Sequence, residues 1–154
     1  MADKLTAREI MTKNVITVRP EDDVEKVARL LVEHQVSGLP VVDGEGKVVG
    51  IITEGDLVVQ EKKVKAPAYS IILGGVIYLE SLNKFFEQLK RTIAEQVDGL
   101  MTSKVHTVGP DSTVQEIATI MAEKGVNRLP VVDEAGKLLG IVTRQDVIKW
   151  THKS

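Results

Sequence analysis

The chain has 154 residues, enough for one ordinary domain or two small ones, and its 43% hydrophobic content with only 3% aromatics predicts an aliphatic core. A formal net charge of −2 gives no basis for sequence-independent nucleic-acid binding, which needs clustered Lys and Arg against phosphates, so no nucleic-acid partner is expected. The absence of cysteine excludes disulfides, thiolate catalysis and zinc–cysteine sites, and it fits a reducing, cytoplasmic location.

The opening MADKLTAREIM has no apolar h-region, so no signal peptide is expected. An internal repeat then organises the chain. Residues 11–58 align with residues 101–148 at a constant offset of 90 without gaps, and 21 of the 48 pairs are identical. Such a repeat implies one supersecondary unit used twice, with apolar faces that cover each other.

Each repeat predicts the order β-α-β-β-α. VITV (15–18) and VHTV (105–108) read as short strands. Pro20 and Pro110, followed by acidic or hydroxyl residues, read as helix starts. Val24, Val27, Ala28 and Leu31 recur at helical spacing, as do Val114, Ile117, Ala118 and Met121, which predicts an amphipathic helix in each repeat. LPVVDGEGKVVGIIT and LPVVDEAGKLLGIVT each place two apolar runs around a Gly-containing turn, the pattern of an antiparallel hairpin. EGDLVVQEKK and RQDVIKW predict a second helix after each hairpin. The crossover before the hairpin should join parallel strands with a right-handed turn. These boundaries assign residues 1–60 to the first repeat and 98–154 to the second, with an insertion over 61–97.

The insertion has no counterpart elsewhere. Pro67 is expected to end the preceding helix. The longest apolar run, residues 71–79, has about half the length a helix needs to cross a bilayer, so no membrane span is expected. ESLNKFFEQLKRTIAEQV places Leu82, Phe85, Phe86, Leu89, Ile93 and Val97 on one face of a predicted helix. That face either packs on its own subunit, forms a dimer or partner contact, or lies on a membrane surface. Its mixture of Glu with Lys and Arg disfavours the last use.

Two tandem units with x-x-L-P-V-V-D, a Gly-containing hairpin, G-I-h-T and T-x-x-D resemble the CBS-domain family, named for cystathionine β-synthase. The resemblance covers residues 7–60 and 97–150 and is specific, because every motif occurs twice in register. It implies an α+β fold of two β-α-β-β-α units packed pseudo-symmetrically through their sheets, with a helical insertion between them. It also implies clefts that bind adenosine-containing ligands such as AMP, ADP, ATP or S-adenosylmethionine, a homodimer, and regulation of an effector without chemistry of its own. No fused effector domain is read here, so the effector is expected to be another chain.

The resemblance makes the sites composite. Site one would combine Ile16, Ser37, Gly38, Leu39 and Pro40 with Arg128, Thr143 and Asp146. Site two would combine His106, Asn127, Leu129 and Pro130 with Thr53 and Asp56. Physically, Thr53-x-x-Asp56 and Thr143-x-x-Asp146 fall where a strand passes into a helix, whose free N–H groups suit a phosphate. The threonine hydroxyl can donate to phosphate, and the carboxylate can accept from both hydroxyls of a ribose. The same spacing also describes a capping box, and the two roles can coexist. Gly38 would let a ligand approach the backbone, or the stretch is an ordinary strand start. Arg128, aligned with Gly38, would reach phosphates with its planar fork, or it forms a surface or inter-subunit salt bridge. Gly38 in the arginine position of site two predicts unequal sites, with site one the tighter for a phosphorylated nucleotide.

The three histidines, His34, His106 and His152, are not at metal-ligand spacing, so no metal is expected. His106 either lines a cleft or is a partly buried strand histidine. There is no Walker A, G-x-S-x-G or G-x-G-x-x-G motif and no acid–base pair, so no catalytic residues, no required cofactor and no enzyme activity are expected. The leading expectation is a regulatory module for an adenine nucleotide. The alternatives are a sensor of S-adenosylmethionine and an interaction protein that works through Phe85 and Phe86 and leaves its clefts unused.

Overall fold

The computed structural model describes residues 5–63 and 96–152, and side chains of the first stretch as far as Val58. The insertion residues Pro67, Leu82, Phe85, Phe86, Leu89 and Ile93 lie outside the described residues. The chain divides into two compact units that do not coincide with the two repeats. One comprises Met1–Thr17, Pro40–Ile51 and Ser103–Ser154, and the other Val18–Leu39 and Ile52–Thr102.

In the first unit, helix α1 (Ala7–Ile10) precedes the hairpin turn of the first repeat, and the second repeat from Ser103 onward follows. Helix α4 (Val114–Lys124) starts where Thr113 accepts from the Glu116 N–H at 3.1 Å. It ends at Gly125, whose φ of 65° is the left-handed conformation that glycine adopts at no steric cost. Strands β3 (Arg128–Val132) and β4 (Leu138–Thr143) pair antiparallel, with Arg128 opposite Thr143 and Val131 opposite Gly140. Helix α5 (Arg144–Thr151) follows β4 without a loop. Ala7, Ile10, Ile117, Met121, Leu129, Val131, Val142 and Val147 join in one buried aliphatic cluster.

The hairpin turns have one design. Asp133 Oδ1 accepts from the N–H groups of Ala135 and Lys137, both at 2.9 Å, and Asp43 Oδ1 accepts from Glu45 at 2.9 Å and Lys47 at 3.0 Å. The two turns also bond to each other within this unit. The Val48 N–H donates to Gly136 O at 3.1 Å, and the Leu138 N–H donates to Gly46 O at 3.0 Å.

Helix α1 is anchored in part by distant backbone. The Ala7 N–H donates to Ser112 O at 2.8 Å and the Arg8 N–H to Pro110 O at 3.0 Å. Beyond it, Thr12 exchanges two backbone bonds with Ile141, at 2.9 and 3.0 Å. Gly140 makes this crossing feasible, because a Cβ there would lie 2.8 Å from the Thr12 carbonyl oxygen.

In the second unit, helix α2 (Val24–His34) is capped by Asp23, which accepts from the Lys26 N–H at 2.8 Å. Val24, Val27 and Leu31 are buried, together with Val18, Leu39, Ile52 and Val97. The first hairpin, β1 (Gly38–Val42) and β2 (Val48–Thr53), contributes only Gly38, Leu39, Ile52 and Thr53 to this unit, and helix α3 (Glu54–Lys63) follows it directly.

Several sequence expectations change. The strands expected at 15–18 and 105–108 contract to single bridging residues, Val18 and Val108. Val108 pairs in parallel with Val131, donating to Pro130 O at 3.0 Å and accepting from the Val132 N–H at 2.9 Å. The helices do not begin at Pro20 and Pro110. Both prolines occupy turns, and the Asp23 and Thr113 caps set the starts at Val24 and Val114. Ala28 is exposed, so the buried face of α2 is narrower than the spacing implied. Val97 does not extend a helix. It opens a single 3-10 turn after an extended Gln96, and its N–H donates to Asp22 O at 2.8 Å.

Candidate functional site

The two T-x-x-D segments adopt one geometry. In the second repeat Asp146 Oδ2 accepts from the Thr143 N–H at 2.9 Å and from the Thr143 hydroxyl at 3.0 Å, while the Asp146 N–H donates back to that hydroxyl at 3.2 Å. In the first repeat Asp56 Oδ2 takes the Thr53 N–H at 2.8 Å and its hydroxyl at 3.2 Å, with the Asp56 N–H 3.4 Å from Thr53 Oγ1. Both are capping boxes, so the cap is real. It does not consume the carboxylate. Among the described residues the side-chain bonds of Asp146 and Asp56 run through Oδ2, which fixes the group and leaves Oδ1 as an oriented acceptor on a half-buried residue.

A second stitch ties each helix start to the strand beside it. The Arg144 N–H donates to Asn127 O at 2.8 Å, and the Glu54 N–H donates to Ser37 O at 2.9 Å. Together with the Arg128–Thr143 register, this brings Arg128, Thr143 and Asp146 to one end of the first unit's sheet. Arg128 is half-buried there.

The remaining expected residues divide by burial and by unit. Leu39, Pro40, Leu129 and Pro130 have fully buried side chains, so they serve the cores, and a ligand beside them would meet backbone. Ser37 and Ile16 are half-buried and Gly38 is buried. Ser37, Gly38, Leu39, Thr53 and Asp56 belong to the second unit, whereas Ile16, Pro40, His106, Asn127, Leu129 and Pro130 belong to the first. His106 is exposed and lies outside any strand, which removes the partly buried strand reading. The bonds from Glu54 and Arg144 to the preceding hairpin carbonyls had no motif that would have announced them.

Away from these boxes, Asp22 stands out electrostatically. Burial pushes its carboxyl up, but the Arg19 N–H at 2.8 Å and the Lys26 ammonium at 3.2 Å outweigh it and hold the group below its ordinary value of 3.8. Among the described residues no helix is long and apolar enough to cross a membrane.

The sequence profile of the CBS domain matches residues 7–61 and 94–153. The chain belongs to the CBS domain family. An uncharacterised Methanocaldococcus jannaschii protein is 35% identical over 149 residues, covering 92% of this chain and 88% of its own length. An inosine-5′-monophosphate dehydrogenase of Korarchaeum cryptofilum is 38% identical, but the match takes in 92% of this chain and only 23% of the enzyme. Among solved structures, CBSX2 in complex with AMP superposes with a TM-score of 0.72 at 29% identity, covering 95% of both chains. The CBS domain pair of protein MJ0100, in complex with 5′-methylthioadenosine and S-adenosyl-L-methionine, gives a TM-score of 0.70 at 25% identity over 96% of both chains. The fold is that of a tandem CBS pair.

Proposed function

We propose that this CBS pair is a non-catalytic sensor that binds an adenosine-containing ligand, foremost an adenine nucleotide, and reports occupancy to another protein chain. The observation that carries the reading is the capping box with a spare oxygen. Oδ2 of Asp146 holds the helix start and Oδ1 is left oriented, with Arg128 on the adjoining strand opposite Thr143. A ribose hydroxyl suits the first group and a phosphate the second. Thr53 and Asp56 offer the ribose contact alone, because Gly38 stands where the second repeat has Arg128. The ligands of CBSX2 and of the MJ0100 pair support the adenosine class.

Signalling follows if the ligand binds one arrangement of the chain better than another, since only differential affinity shifts an equilibrium. The reading includes a homodimer as the working form and a separate effector chain. A thermal-shift series with AMP, ADP, ATP and S-adenosylmethionine tests it, combined with mass spectrometry of small molecules released from the purified protein. Ligand at a hundredfold excess over its Kd should stabilise the chain by about 2.7 kcal/mol. No shift with any of the four, and no nucleoside released, would sink the proposal.

A further inference from the structure

The two boxes share a backbone but not a charge. In the second repeat the corresponding positions carry Arg128, Arg144 and Asp146, a formal net of +1. In the first, Gly38 is neutral and Glu54 joins Asp56, a net of −2. The backbone bonds that place residues 54 and 144 are the same, at 2.9 and 2.8 Å, so the contrast is carried by side chains alone.

Glu54 and Arg144 each occupy the first position of a helix. That end of a helix is its positive pole, so Glu54 is favoured there and Arg144 is not. Arg144 is exposed, and among the described residues no carboxylate pairs with it. Its N–H is bonded to the residue immediately before Arg128, which places a second cation at the same sheet end. A cation disfavoured by the helix pole is a local conflict of the kind that marks a binding function, and a multiply charged anion resolves it.

We infer that Arg144 is a specificity determinant that, with Arg128, makes the second repeat's site select a nucleoside polyphosphate over a monophosphate. The inference rests on the proposed nucleotide site and adds the phosphate number that it selects. One guanidinium suffices for a single phosphate, and the second acquires a partner only when the ligand carries further phosphates. At the first repeat's box, Glu54 and Asp56 repel phosphate.

Titration calorimetry of the whole chain with ATP, ADP, AMP and adenosine provides the test, on the natural sequence and on Arg144→Glu and Arg144→Lys. The natural chain should bind ATP about tenfold or more tightly than AMP, the scale of one added charged hydrogen bond. Arg144→Glu should erase that ratio and leave adenosine within about threefold of its original Kd, whereas Arg144→Lys should keep the order ATP, ADP, AMP. Because Arg144→Glu relieves the conflict with the helix pole, its melting temperature without ligand should equal or exceed that of the natural chain, so lost affinity is separable from lost folding. An ATP-to-AMP ratio unchanged in Arg144→Glu overturns the inference and leaves the nucleotide site standing. A natural chain that binds none of the four overturns both.

Discussion

Gln35 ends helix α2 with φ 53° and ψ 44°, the left-handed conformation, and Gly125 ends helix α4 with φ 65° and ψ 33°. The two positions correspond at the repeat offset, so the chain contains its own control. An L side chain in this conformation costs about 1–2 kcal/mol from Cβ crowding against the following carbonyl. Glycine removes that cost but gives the unfolded chain about 0.5–1 kcal/mol more entropy to lose. Gln35→Gly should therefore stabilise the protein by about 0.5–1 kcal/mol, the difference between those terms. Nothing lies within 4 Å of a Cβ built on Gly125, so Gly125→Gln should be destabilising by a similar amount through backbone strain alone. Urea denaturation of both variants and of the exchanged pair measures this, and the exchanged pair should nearly match the natural chain because the changes sit on separate helices. Thermal midpoints should move by about 1–4 °C in opposite directions. If Gln35→Gly destabilised the chain, or if the two variants moved the same way, the account of these helix ends would be wrong.

Asp146→Asn keeps a side-chain oxygen for the Thr143 N–H but replaces the spare acceptor. Nucleotide affinity should fall by about 10- to 150-fold while ligand-free stability changes by less than about 1 kcal/mol. A calorimetric Kd equal to that of the natural chain would assign the aspartate to the cap alone. Gly140→Ala places a methyl group 2.8 Å from the Thr12 carbonyl and should cost about 1–3 kcal/mol in urea denaturation, as the Thr12–Ile141 pairing gives way. An unchanged midpoint would show that the crossing segment shifts freely. The lowered pKa of Asp22 means that its carboxylate stabilises the folded state above its ordinary 3.8, and that this contribution is lost as pH falls through the still lower folded value. Asp22→Asn should therefore be less stable than the natural chain near neutral pH, and the gap should close as pH falls below 3.8 and through the lower folded value. An equal gap at both pH values would contradict the assignment.

The features that sequence made legible are those whose partners lie close in the chain. The hairpins were visible because apolar runs flank Asp43–Lys47 and Asp133–Lys137, where an aspartate closes the turn on nearby N–H groups. The helices were visible through Val24, Val27 and Leu31 and through Val114, Ile117 and Met121. The T-x-x-D boxes were legible for the same reason, each bond spanning three residues. Features fixed from afar escaped. Helix α1 donates to Ser112 O and Pro110 O, and no local pattern in AREI could reveal that. Val108 spends both its backbone groups on one strand, so VHTV pairs at a single residue despite its β-branched composition. The start of α2 falls later than Pro20 because that proline, though suited to a first helical turn, sits in the turn before the cap. Asp22 closes the turn on the Arg19 N–H, and only Asp23 caps the helix.

The unit assembled from Met1–Thr17, Pro40–Ile51 and Ser103–Ser154 has a consequence for how the protein is made. During synthesis the other unit has all its segments once residue 102 has emerged. Helix α1 must then wait for Leu129, Val142 and Val147 before their shared core can close, and the first hairpin turn for the Gly136 and Leu138 backbone that it bonds. At about 5–20 residues per second that wait lasts about 2–9 s, with Ala7 and Ile10 unburied throughout. A cut between the repeats would likewise separate no finished half from another. Each fragment would hold parts of a core whose remainder lies in its sibling, so duplication has produced a chain whose copies no longer fold one at a time.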